Sequence, residues 1–211
     1  QVVVSGRVRT GKVMLYNPEN GRRIKEPHNY ITWVHSLLKK ENFNLRQCLF
    51  GEHLLSSDQQ RPVALVESEK SALISSFYLP QYLWIASGGK NGAFNRDAMS
   101  VLRNRRVLLF PDLGATDYWN SKIEMIRSLG IEVSLFDFME RNATKEERDA
   151  GYDIADFLLR EETKDAILNR LITLNPALKT LVETLDLQLV NVEKAPLSAT
   201  VPHTRKGLFK R

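Results

Sequence analysis

Val63-Ala64-Leu65-Val66-Glu67-Ser68-Glu69-Lys70-Ser71-Ala72-Leu73 decides the reading of the fold. Four apolar residues in a row, then an acid, then small and charged residues predict a buried strand that passes directly into a helix through Ser71 to Tyr78. The same pattern recurs downstream. A strand over 82–86 precedes a glycine loop, Gly88-Gly89-Lys90-Asn91-Gly92, and a helix near Arg96 to Leu102. A third strand, Val107-Leu108-Leu109-Phe110, ends at Pro111-Asp112. It leads into a helix from Thr116 to Leu129 closed by Gly130, and then a strand over 131–135. Short, continuously apolar strands between helices imply a parallel sheet covered on both faces, so the predicted class is α/β.

Upstream, residues 1–61 read as a small basic hairpin and helix subdomain. Lys12 to Tyr16 and Arg22 to Lys25 are β-favouring runs joined by Asn17-Pro18-Glu19-Asn20-Gly21, a turn composition with a mechanism behind it. Helical spacing of Ile31, Val34, Leu37 and Leu38 predicts a helix from Tyr30 to Lys40, with a shorter one over Leu45 to Phe50. Residues 62–160 form the alternating domain. Residues 161–187 are predicted helical and divided by Pro176, and 188–211 read as a flexible basic tail.

Charge divides the chain of 211 residues in the same places. Residues 1–61 carry 10 basic and 5 acidic side chains, 62–193 carry 15 and 20, and 194–211 carry 5 and none, for a total of +5. An acidic middle between basic ends suits a metal-ion site flanked by surfaces that follow a polyanion. No apolar run approaches the roughly 18 residues of a membrane helix. The single cysteine, Cys48, excludes an internal disulfide and a multi-thiolate zinc site, which makes a reducing cytoplasm the expected setting. The start, Gln1-Val2-Val3-Val4, has neither Met nor a signal layout and reads as truncated or processed.

In an open parallel sheet, chemistry gathers at the carboxyl ends of strands. Glu67 and Asp112 stand at two such ends. Each alone reads as an acid favoured by the start of the following helix. Together, at matching ends, they read as a site for Mg²⁺, which takes a few carboxylate oxygens plus water and phosphate.

Val63 to Leu73, the Gly88-Gly89 turn and Leu108-Leu109-Phe110-Pro111-Asp112 resemble, in order, the first motif, the glycine turn and the metal-motif strand of the TOPRIM domain of primases, topoisomerases and some nucleases. Cys48-Leu49-Phe50-Gly51 and the basic stretch from Arg7 to Lys25 resemble what precedes that domain in primases of bacterial mobile elements and phages, so the similarity runs over about residues 5–160. The resemblance implies a TOPRIM-like parallel sheet with flanking helices. It implies Mg²⁺- (or Mn²⁺-) dependent phosphoryl or nucleotidyl transfer in replication or mobilisation. Glu67 would be the acid–base residue, Lys70 a phosphate-facing partner, and Asp112 a metal ligand. It also implies single-stranded or primer-template DNA and nucleotides as ligands, a helicase or replication protein as partner, no membrane, and no zinc in this part of the chain.

One departure matters: the second acid of the Asp-x-Asp motif falls on Gly114. Asp117 is a possible substitute, or an ordinary first-turn acid. Asp153, in Gly151-Tyr152-Asp153-Ile154-Ala155-Asp156, reads equally as a further metal ligand or as a helix N-cap. The glycine loop, with Lys90 in it, is no Walker motif. Arg7, Arg9, Lys12, Arg22, Arg23 and Lys25, with Arg103, Arg105 and Arg106, are the candidate backbone-tracking residues. His28, His35 and His53 are too scattered for a metal box, and Trp84, Phe110 and Trp119 sit at core spacing. The alternative function is a degenerate module that binds nucleic acid without catalysis.

Overall fold

Residues along each central strand alternate between two separate hydrophobic clusters, as a sheet buried on both faces requires. Val63 and Leu65, Leu83 and Ile85, and Val107 and Leu109 face one cluster. Ala64 and Val66, Trp84 and Ala86, and Leu108 and Phe110 face the other. The computed structural model describes residues 1–19, 21–89, 92–160 and 164–187. The sheet contains β3 (Val63–Val66), β4 (Leu83–Ala86), β5 (Arg106–Leu109) and β6 (Glu132–Leu135), all parallel, in the order β4-β3-β5-β6. The first and third strands of the alternating region are therefore direct neighbours.

Helices cover both faces. α3 (Arg96–Met99), α4 (Thr116–Asn120) and α5 (Ile123–Arg127) supply Met99, the fully buried Trp119, and Ile126 to the first cluster. α2 (Glu69–Tyr78), α6 (Phe138–Asn142) and α8 (Ile154–Leu158) supply Ala72, Met139 and Ile154 to the second. α7 (Lys145–Ala150) opens on a capping box between Thr144 and Glu147. The helix expected over 116–129 is interrupted at Ser121 and Lys122, where Lys122 N–H bonds back to the Trp119 carbonyl in a tight turn.

The amino-terminal part differs from expectation in its pairing. The turn after Tyr16 forms, with a bridge between Tyr16 and Arg23. The main antiparallel partner of β1 (Lys12–Met14), however, is β2 (Ile31–Trp33). Ile31, Thr32 and Trp33 are β-branched or aromatic, and strand pairing overrides the helical spacing that Ile31 shares with Val34, Leu37 and Leu38. Only α1 (Val34–Leu37) remains of the predicted helix. Residues 45–50 are not helical, and the helical turn falls later, over Glu52–Ser56. Phe50 instead forms an antiparallel bridge with Ala86, its N–H donating to the Ala86 carbonyl at 2.8 Å and its carbonyl accepting from Ala86 N–H at 3.1 Å.

Residues 1–161 form one compact unit, and a second unit begins at residue 162. In the second, α9 (Lys164–Leu174) and α10 (Pro176–Thr184) are separated where Pro176 occupies the first turn of α10. The stretch expected as a flexible basic tail, 188–211, lies outside the described residues, as does Lys90. Among the described residues no helix is long and apolar enough to cross a membrane.

Candidate active site at the carboxyl edge of the sheet

Because β3 and β5 are adjacent, Glu67 and the Phe110-Pro111-Asp112 turn leave the sheet side by side. Phe110 N–H donates to the Leu65 carbonyl (2.9 Å), and Leu113 N–H donates to the Tyr152 carbonyl (2.9 Å), which draws the start of α8 to the same edge. The backbone carbonyl of Glu67 accepts from Gly88 and Gly89 N–H, both at 3.0 Å. Those glycines have φ of +79° and +125°, a region that side chains disfavour. Gly92 lacks room for another reason: an added Cβ would lie 2.3 Å from the Ser87 carbonyl oxygen. Gly92→Ala is expected to lower the urea midpoint by the equivalent of about 1–3 kcal/mol through this overpacking.

Asp112 is partly buried, and its Oδ1 is shut off from solvent with no hydrogen-bond partner. Burial, then the charges of Glu67, Asp153 and Asp156, push its carboxyl up to about 8, against the lowering influence of Lys70. Asp112 is therefore expected to hold its proton at neutral pH.

Asp153 is the N-cap of α8. Its Oδ1 accepts from Ala155 N–H (2.8 Å) and Asp156 N–H (3.1 Å), and its Oδ2 accepts from the buried Ser71 hydroxyl at 2.5 Å. Asp156 completes a capping box by accepting from Asp153 N–H at 3.0 Å. Lys70 Nζ stands 4.0 Å from Asp156 Oδ1. Both Asp153 oxygens are thus engaged in fixing α8 against α2. Asp117 is exposed in the first turn of α4 and is not among the charges that act on Asp112. Gly114 has φ +81°, and its N–H donates to Glu140 Oε2 at 2.9 Å. Thr116 Oγ1 donates to the same oxygen at 3.1 Å, and Arg148 pairs with the other. The loop that lacks its second acid therefore receives a carboxylate from α6, with no sequence signal to announce it.

Among the described residues, no three His, Cys, Asp or Glu side chains are grouped to hold a metal ion. The oxygen-only chemistry of Glu67 and Asp112, and the unpartnered Asp112 Oδ1, nevertheless fit a hard divalent cation that draws its other ligands from water and substrate phosphate.

Beside this edge lies a cleft of about 560 Å³ between the Tyr16 turn, the start of α2, and α8. Met14, Leu73, Ile74 and Leu159 form its apolar wall, with Tyr16 and Tyr152 contributing rings. Arg22, Lys70 and Arg160 bring cations, Glu69 and Asp156 acids. Arg160 lies over the Tyr152 and Phe157 rings at 5.1 and 5.0 Å and pairs with Glu147. These residues come from three remote segments, and of them the sequence singles out only Lys70 and Arg22.

The expected basic surface is dispersed. Arg22, Arg23 and Lys25 are exposed, and of the three Arg22 lines the cleft. Lys12 is largely shielded, donating to the Gly88 carbonyl (2.9 Å) and pairing with Glu69 (3.2 Å), so it ties β1 to the glycine loop. Arg7 and Arg9 line a different groove. Arg103, Arg105 and Arg106 stand at the opposite, amino edge of the sheet, where Arg105 donates to the Leu55 and Arg61 carbonyls.

A family model described as "Domain of unknown function (DUF6371)" matches residues 1–113. The chain belongs to the DUF6371 family. The match runs from the first residue to Leu113, so it takes in the amino-terminal subdomain and both strand-end acids. No curated protein matches this DUF6371 chain. Among solved structures, it is similar to the crystal structure of the Aquifex aeolicus primase (zinc-binding and RNA polymerase domains), at 15% identity and a TM-score of 0.46. That similarity covers 85% of this chain and 43% of the primase chain, so the chain spans less than half of its length.

Proposed function

We propose that the carboxyl edge of the sheet is a TOPRIM-type site for Mg²⁺- or Mn²⁺-dependent phosphoryl or nucleotidyl transfer on nucleic acid. The supporting observation is Asp112: a partly buried carboxyl with one oxygen unpartnered, at a strand end beside Glu67 at the edge of a parallel sheet. Glu67 and Asp112 would hold the ion, which when bound supplies charge neutralisation for phosphate oxygens. Lys70, on the first turn of α2, faces the same edge and meets a phosphate as a point charge. Glu67 would also hold or move a proton at the reacting oxygen. Asp153 acts through structure, orienting α8 and hence Asp156 and the Tyr152 wall. The cleft seats the apolar and aromatic part of a nucleotide between Tyr16 and Tyr152, with Arg22 and Arg160 at the rim. Replication or mobilisation of a mobile element, with a helicase or replication protein as neighbour, is the setting that belongs to this reading.

Titration calorimetry with Mn²⁺ tests it. The expected result is binding that tightens as pH rises towards 8 and releases protons, because Asp112 must ionise to take a cation. Absence of binding at millimolar metal removes the reading. Gly114 and the engaged Asp153 favour a second one, a nucleic-acid-binding module without catalysis. Metal binding without nucleotide incorporation on a single-stranded template supports that alternative.

A further inference from the structure

We propose that a second groove, on the amino-terminal segment, binds single-stranded nucleic acid independently of the carboxyl edge. A base would stack against Phe43, and Arg7, Arg9 and Lys40 would meet the phosphates. Two adjoining hollows of about 510 and 220 Å³ share Val8, Arg9, Thr10 and Phe43, and neither shares a residue with the cleft described above. Between them they are lined by Arg7, Arg9, Lys40 and Arg46, with no acid in the lining. The cleft, by contrast, contains Glu69 and Asp156.

Phe43 borders both hollows and is stacked on His35, the ring centroids 4.1 Å apart and the planes 12° from parallel. Thr10 Oγ1 lies 2.9 Å from His35 Nδ1 and holds that ring in place. The result is a fixed aromatic platform between cations. Arg46 is held by Asp97 through its side chain, at 2.7 and 3.0 Å, and its carbonyl accepts from Arg9 at 3.0 Å. It therefore shapes the groove more than it charges it, leaving Arg7, Arg9 and Lys40 as the phosphate-facing set. Exposed Val8 and Leu38 at the rim suit a base edge or a peptide side chain equally. The charged residues of the lining are all cationic, and together with the flat ring pair they favour the single strand, since every base offers a π face and every linkage a charge.

The test is fluorescence anisotropy of the full chain with a labelled oligothymidylate of about a dozen nucleotides, in EDTA so that the carboxyl edge plays no part. Failure here leaves the metal-site reading standing, and failure of that reading leaves this one. Phe43→Leu keeps apolar bulk and removes the ring, and is expected to weaken binding at least about five-fold. Arg7→Gln with Lys40→Gln, both exposed, is expected to flatten the log–log salt slope by about 1.4. That double variant carries the test if Phe43→Leu does not fold. Unchanged affinity and slope in these variants overturn the proposal, as does equal affinity for a duplex of the same length. So does loss confined to Arg22→Gln/Arg23→Gln. Saturable binding of an acidic peptide in place of the oligonucleotide overturns it in favour of a protein partner.

Discussion

Asp112→Asn is expected to make the metal-free protein more stable at about pH 8, by up to the order of 5 kcal/mol, while leaving it little changed near pH 4. The sign follows from the raised folded-state pKa. An ordinary Asp ionises near 3.8, whereas Asp112 in the folded chain does so at about 8. Between those values the folded state binds a proton that the unfolded state has released, so stability falls as pH rises through this window and levels off above it. Asparagine places a neutral group of the same shape in the site and removes that fall. Urea unfolding of both proteins across the window measures the difference directly. Saturating Mn²⁺ is expected to restore the wild type at high pH and to leave Asp112→Asn unmoved. Parallel pH profiles for the two proteins would show that Asp112 does not carry the charge strain ascribed to it.

The second large effect is expected at Asp153. Alanine there leaves the Ser71 hydroxyl and two α8 amides without their acceptor in a buried setting, at a cost of about 2–4 kcal/mol. Asparagine keeps one acceptor oxygen for the α8 amides and is expected to recover at least half of that stability. If Asp153 acts as a cap, Mn²⁺ affinity in Asp153→Asn stays within a few-fold of wild type. A loss of affinity with stability retained would make it a ligand instead. The two sequence readings of this residue are thereby separated by one pair of variants.

The parallel sheet was legible because its central strands β3 and β4 are apolar runs buried on both sides and β5 is nearly so, a local signal that needs no knowledge of partners. The juxtaposition of Glu67 and Asp112 followed once β3 and β5 proved to be neighbours. The amino-terminal subdomain was harder. Ile31, Val34, Leu37 and Leu38 carry helical spacing, yet Leu37 and Leu38 are exposed and β2 takes Ile31 for pairing with Met14. Spacing reports a face only when something packs on it. The cleft was illegible for a different reason: Tyr16, Ile74 and Tyr152 meet only through tertiary structure. So do Phe43 and His35, whose contact depends on a turn between them. Asp156 did leave a trace, since an acid three residues after Asp153 is what a reciprocal cap requires.

The single bridge between Phe50 and Ala86 also bears on how molecules of this chain meet one another. It shields one rim of the sheet with a residue from outside it, so β4 does not present a continuous ladder to a stranger's backbone. At the far rim, β6 turns Glu132 outward as a charge that discourages pairing in register with another copy. Both borders thus carry a feature that works against strand addition by another copy.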